Sequence, residues 1–139
     1  MAAFLLGGCM TPGGRAAVDP LTPAEHLQLA VSYEHAGKTD LALREYERAA
    51  TGATAAHART GQGNIHLARQ DWAAAEASYR AALAVDPEHL SALNNLAWLL
   101  AAQGRSLEEA ERLIRRALAL IPEPRAAYED TLAAILKQK

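Results

Sequence analysis

Five histidines, His26, His35, His57, His66 and His89, are the side chains with which this chain could hold a metal or move a proton at neutral pH. No two of them stand four residues apart, as a helical metal pair requires, and none has a cysteine beside it. Their spacing predicts surface or helix-packing roles and no metal site. The single Cys9 excludes an internal disulfide and cannot build a cysteine-based zinc site alone. No serine or cysteine is framed as a nucleophile, and no glycine-rich loop is placed to cradle a phosphate. The acidic pair Glu108 and Glu109, following Ser106 in SLEEAERL, has the pattern of a capped first helical turn. These patterns predict neither catalysis nor a bound cofactor.

The 139 residues suit one domain, and the 50% hydrophobic content is largely alanine, which packs closely but buries little area per residue. The 14 basic and 16 acidic residues are interspersed and leave a net charge of -2. Nothing offers the positive excess that neutralising nucleic-acid phosphates requires, so a nucleic-acid partner is not expected. No apolar run approaches the roughly 20 residues that span a bilayer.

The alanines keep a long period. Ala42, Ala75 and Ala110 are each followed four residues later by Tyr46, Tyr79 and Ile114, and seven later by Ala49, Ala82 and Ala117. Those offsets share one helical face. Upstream of each lies a second helical stretch, Leu29-Ala30-x-x-Tyr33, Gln62-Gly63-x-x-His66 and Leu96-Ala97-x-x-Leu100, ending in turns at Gly37, Gln70 and Gly104. Asp86-Pro87 and Ile121-Pro122 stop the second helices of their units, because proline cannot extend a preceding helix. The aligned alanines recur at intervals of 33 and 35 residues.

That pattern resembles the tetratricopeptide repeat, whose signature is W-x2-L-G-x2-Y, then A-x3-F, then P, over about 34 residues. The resemblance covers most of the chain. Here Gln62-Gly63 and His66 replace the usual first-helix residues, and Arg105-Ser106 adds one residue to the third turn. The resemblance implies an all-α, TPR-type solenoid of three helix-turn-helix repeats, at about 23–55, 56–89 and 90–124, stacked into a right-handed superhelix. DTLAAILK lines up with NNLAWLLA, which predicts a capping helix at 125–137 and about seven helices in all.

A helical wheel places Leu90, Leu93, Leu96, Ala97 and Leu100 in one arc of the fifth helix and Trp98 roughly opposite, with Asn94, Asn95, Ala101 and Ala102 beside it. Matching faces of the earlier first helices carry Gln28, Val31, Glu34 and His35, then Thr60 and Asn64. In the family that face lines the concave groove, so the resemblance implies that these residues grip a peptide or protein partner. Asparagine amides there would both donate to and accept from an extended backbone, and Trp98 would add a flat apolar anchor. A packed Trp98 and solvated asparagines are the alternative. Family members that clamp a C-terminal carboxylate use Lys, Asn and Arg; the matching positions here are Leu27, Val31, Gly61, Ser91 and Asn95, so no clamp is expected.

The segment MAAFLLGGC resembles the end of a bacterial lipoprotein signal, with an apolar run and then Leu6-Gly7-Gly8 before Cys9. The resemblance implies a signal-like segment at 1–8, acylation of Cys9, and a flexible tether over 9–22. It places the mature chain on the periplasmic side of the envelope, with outer-membrane sorting because Met10 rather than Asp follows the cysteine. A cytoplasmic chain with an incidental cysteine is the competing reading. The stretch 19–46 also resembles segments of small bacterial repeat lipoproteins and of repeat domains attached to cysteine peptidases. The expectation is a non-catalytic scaffold serving envelope assembly, secretion or peptide processing, touching the membrane only through lipid at Cys9. A self-assembling homo-oligomer and a cytosolic adaptor are the alternatives.

Overall fold

The computed structural model describes residues 19–123 and 125–139, and within them every regular element is helical. Cys9, the signal-like segment and most of the tether lie outside the described residues. Helix α1 (Pro23–His35) opens on a reciprocal cap: the Glu25 N–H donates to the Thr22 hydroxyl, and the Glu25 carboxylate accepts from the Thr22 N–H. Proline at the first helical position needs no donor there. Helix α2 (Thr39–Ala49) follows after Gly37, whose φ of +70° reverses the chain. A single 3-10 turn (Gly52–Thr54) leads into α3 (Ala55–Ala68). Helix α4 (Trp72–Val85) is capped by the Asp71 carboxylate, which accepts from the Ala74 N–H. Helices α5 (Leu90–Ala102), α6 (Leu107–Leu120) and α7 (Ala126–Leu136) complete the chain.

The third hairpin departs from the sequence expectation. Ser106 makes no side-chain cap to α6; its φ is +50°, a left-handed backbone that accommodates the extra residue of this turn. Glu108 and Glu109 do stand in the first turn of α6, and Glu109 also accepts from Arg80.

Each helix packs on its successor, α1 also packs on α3, and α5 on α7. Neighbour-only packing of this kind is a solenoid, in which no unit hides its apolar face alone. Ala42, Ala75 and Ala110 are fully buried, as are Ala49, Ala82 and Ala117, and Ala30 and Ala97 in the first helices. Their small side chains let helix axes approach, and the residue four places on fills the gap: Tyr46, Tyr79 or Ile114, all buried. Helix α5 is enclosed on nearly every side. Leu99 and Ala101 are buried along with Leu93, Leu96, Ala97 and Leu100, so Ala101 belongs to the core and not to the open face where the wheel placed it.

Helix α3 carries the closest approach. A β-carbon on Gly61 would lie 2.3 Å from the Tyr46 ring, and one on Gly63 would lie 2.5 Å from the Tyr79 ring. Each glycine concedes about 1 kcal/mol of helix propensity relative to alanine. In return a tyrosine ring lies flush on bare backbone, which explains why Gly63 stands where the first and third repeats have alanine. Charged pairs brace the same junctions from outside. Arg80 donates to Glu76 at 2.9 Å within α4 and to both oxygens of Glu109 on α6, at 2.7 and 3.1 Å. Arg105 reaches Glu76, and Arg69 reaches Asp40 at 2.7 Å. At the amino end the buried His26 ring lies between Glu45, at 2.6 Å, and Asp19, at 3.1 Å, tying the incoming chain to α1 and α2.

Two outcomes follow from this packing. Gly63→Ala, which propensity alone would favour, is expected to cost about 1 kcal/mol net in denaturant unfolding, because overpacking a filled site costs about 1–3 kcal/mol. With Tyr79→Leu in place the same change should turn neutral or stabilising, a coupling that a double-mutant cycle reads directly. The second concerns acid. Hydrogen bonds from Arg80 hold the Glu109 carboxyl below its ordinary value of 4.5. A depressed folded-state pKa contributes stability at neutral pH that disappears as pH falls through it. Both partners are partly solvated, so Arg80→Gln should lose no more than about 1 kcal/mol at pH 7 and converge with the parent chain as pH falls through the lowered Glu109 pKa.

Candidate functional site

Helices α1, α3 and α5 present their faces side by side, and the repeat register sets Val31, Asn64 and Trp98 at equivalent positions on them. Between them opens a cleft of about 220 Å³. Leu27 and Val31 form its α1 wall and the Tyr46 ring reaches it from α2; His57, Thr60, Gly61 and Asn64 line it from α3, and His89 and Ser91 close it at the start of α5. Val31 and Trp98 are 38% and 44% exposed, two of several large apolar side chains at the surface, which also include Trp72 and Val85.

A seam of hydrogen bonds runs beneath this face. The Tyr46 hydroxyl donates to the Glu34 carboxylate at 2.5 Å, and the Tyr79 hydroxyl donates to Asn64 Oδ1 at 2.9 Å. Asn95 Nδ2 donates to the same Asn64 oxygen at 2.9 Å, and Asn94 Nδ2 makes a long bond of 3.4 Å to Asn95 Oδ1. Burial pushes the Tyr79 phenol up to about 12, with the Glu34 charge adding to the rise. Burial and the Glu34 hydrogen bond raise Tyr46 as well. Both hydroxyls therefore remain protonated donors throughout the physiological range.

The expected site residues divide accordingly. Gln28 and His35 are exposed on α1, and Trp98 is exposed on α5 without lining the cleft. Glu34 is half-buried and engaged by Tyr46. Thr60 lines the cleft but is 5% exposed, and its hydroxyl donates to the Ala56 carbonyl at 2.8 Å, so it offers little to a ligand. Asn64 and Asn95 are bonded to each other rather than poised free, and Asn94 has its Oδ1 buried without a partner. Among the described residues the Asn64 Nδ2 makes no hydrogen bond, which leaves a donor at the cleft.

Sequence reasoning missed two features. The tyrosines figured there only by their spacing, although a phenol oxygen at a buried repeat position needs a partner and so marks a polar seam. It also missed the pair His57 and His89, whose rings meet edge to face at 4.5 Å. His89 Nδ1 accepts from the Ala92 N–H and so caps α5. Burial, and then the neighbouring His57, lower its pKa and keep the ring neutral. A histidine two residues after a proline and just before an apolar helix was the available signal, in the position of an unusual N-cap.

Among the described residues no group of histidines, cysteines and carboxylates could hold a metal, and no helix is long and apolar enough to cross a membrane. No curated protein matches the chain. Among solved structures it is similar to the first TPR of Spaghetti (RPAP3) bound to HSP90 peptide SRMEEVD. The TM-score is 0.71 and the identity 22%, over 86% of this chain and 94% of that one. At that identity the likeness is one of fold. The model of the tetratricopeptide repeat family matches residues 60–134, from within α3 into α7. With that match over more than half its length, and the same helix pairing in the unit that precedes it, the chain belongs to the tetratricopeptide repeat family.

Proposed function

We propose that this protein is a non-catalytic scaffold that holds an extended segment of a partner protein along the face of α1, α3 and α5. The observation that carries the reading is the cleft beside Val31 and Asn64, continued along the repeat register to the exposed Trp98. Neighbour-only packing gives the face rigidity, and a rigid face spends little ordering entropy on binding. Exposed tryptophan is the side chain most often found anchoring an interface. The similar solved domain holds a peptide, which supports an occupant of the same kind here.

We further propose that Cys9 is acylated and anchors the scaffold at a bacterial envelope, where it would serve assembly, secretion or peptide processing. The support is the apolar run and the small residues that precede the lone cysteine.

Trp98→Ala should weaken capture of the partner by about 2 kcal/mol, near thirtyfold, and leave the unfolding midpoint within error, because the ring is exposed. Crosslinked pull-down from envelope extracts, followed by titration of the recovered partner, reads the first, and denaturant unfolding reads the second. Equal recovery by the parent and the variant would remove Trp98 from the site. For the anchor, labelled palmitate should enter the parent chain and not Cys9→Ser, and the variant should leave the membrane fraction. Unchanged fractionation would return the protein to the cytoplasmic reading.

A further inference from the structure

Resting on the groove reading, we propose that the cleft between α1, α3 and α5 seats one uncharged, apolar side chain from the interior of an extended peptide and rejects a free carboxylate. Its walls include the apolar side chains of Leu27 and Val31 and the Tyr46 ring, with the bare backbone of Gly61 beside them. Thr60 adds no free hydroxyl, since its own is engaged by Ala56.

Charge excludes an anion. No lysine or arginine lines the cleft, and the hydroxyl of its Tyr46 wall is held by the Glu34 carboxylate. Two imidazoles line it, His57 and His89, with rings edge to face at 4.5 Å, and burial and then the neighbouring His57 lower the His89 pKa. A carboxylate entering here would lose its hydration and meet no lysine or arginine.

Size selects a single side chain. A cavity of about 150 Å³ holds a benzene ring, whereas sites for drug-sized ligands begin near 300 Å³, and this cleft has 220 Å³. The polar groups at the margin suit a peptide backbone. Asn64 offers its Nδ2 as a donor, and His89, with Nδ1 accepting from Ala92, carries a proton on an Nε2 that is buried without an acceptor.

The test uses short random peptides displayed between fixed flanks, so that none ends in a free carboxylate. Enriched sequences are then synthesised as amidated, fluorescein-labelled peptides and titrated by anisotropy. One aliphatic or aromatic residue should recur, and its replacement by aspartate should weaken binding about tenfold or more. Val31→Lys, at a position exposed enough to leave the fold intact, should weaken the parent peptides and reduce the penalty on aspartate. Leu27→Ala should weaken them without relieving that penalty. Enriched peptides that depend on Trp98 but ignore both Val31→Lys and Leu27→Ala would overturn the cleft assignment and leave the groove standing. Tolerance of aspartate by the parent protein would also overturn it. Failure to enrich any peptide would bring down the groove reading, and the cleft assignment with it.

Discussion

Two tyrosine rings lying on glycine-bared helix backbone are the constraint from which the rest of this solenoid follows. Tyr46 and Tyr79 occupy the same repeat position on α2 and α4, and both press on α3, at Gly61 and Gly63. The distances leave no room for a methyl group on either glycine. The central helix is therefore built from small residues, Ala55, Ala56, Ala58, Thr60, Gly61 and Gly63, all buried, and it gains its stability from tertiary contact rather than from propensity. The third repeat has Ile114 at that position, and its packing is aliphatic, around Leu96, Leu99, Leu100 and Ile135.

The same rings join the core to the candidate binding face. Each presents carbon to the interior and a hydroxyl to the seam beneath α1, α3 and α5, where Glu34 and Asn64 accept. A change at either tyrosine would disturb the core and the face together. Asn64 links the halves of the seam, because its oxygen accepts from Tyr79 on α4 and Asn95 on α5. The face is thus pre-organised by bonds that already exist in the unbound protein, and a ligand would need to order few side chains on arrival. On the outside, Arg69, Arg80 and Arg105 cross between neighbouring units in exposed or half-exposed pairs. Pairs of that kind set register more than they add stability.

A scaffold of this kind selects its partner through what its face lacks as much as through what it offers. Near the cleft the fixed groups are apolar walls, the imidazoles of His57 and His89, one available amide donor and the Glu34 carboxylate. Ser91 and Gly61 also line the cleft, and neither carries charge. Specificity would then arise from shape and from the desolvation cost of a misplaced charge.

Much of the architecture was legible in the residues. The period of Ala42, Ala75 and Ala110, the tyrosines four places on, and the turns at Gly37, Gln70 and Gly104 are local features, and each corresponds to a feature of the helical pairs. The weak signature at Gln62-Gly63 was legible only as a departure; its cause, the Tyr79 ring, lies on another helix. Less of the candidate site could be read. A wheel tells which residues leave a helix together, and so it placed Val31 and Trp98 on a surface. It could not tell that Thr60 would turn back to Ala56, that Ala101 would be enclosed, or that Ser106 would bend the chain rather than cap α6. By itself the sequence determined the repeating helical pairs, because helix periodicity, small-residue spacing and turn formation act over a few neighbouring residues. Only the tertiary structure decided which polar groups remain free. Bonds such as that between Asn64 and Asn95 depend on the distance and angle at which one unit stacks on the next, and no local pattern encodes either.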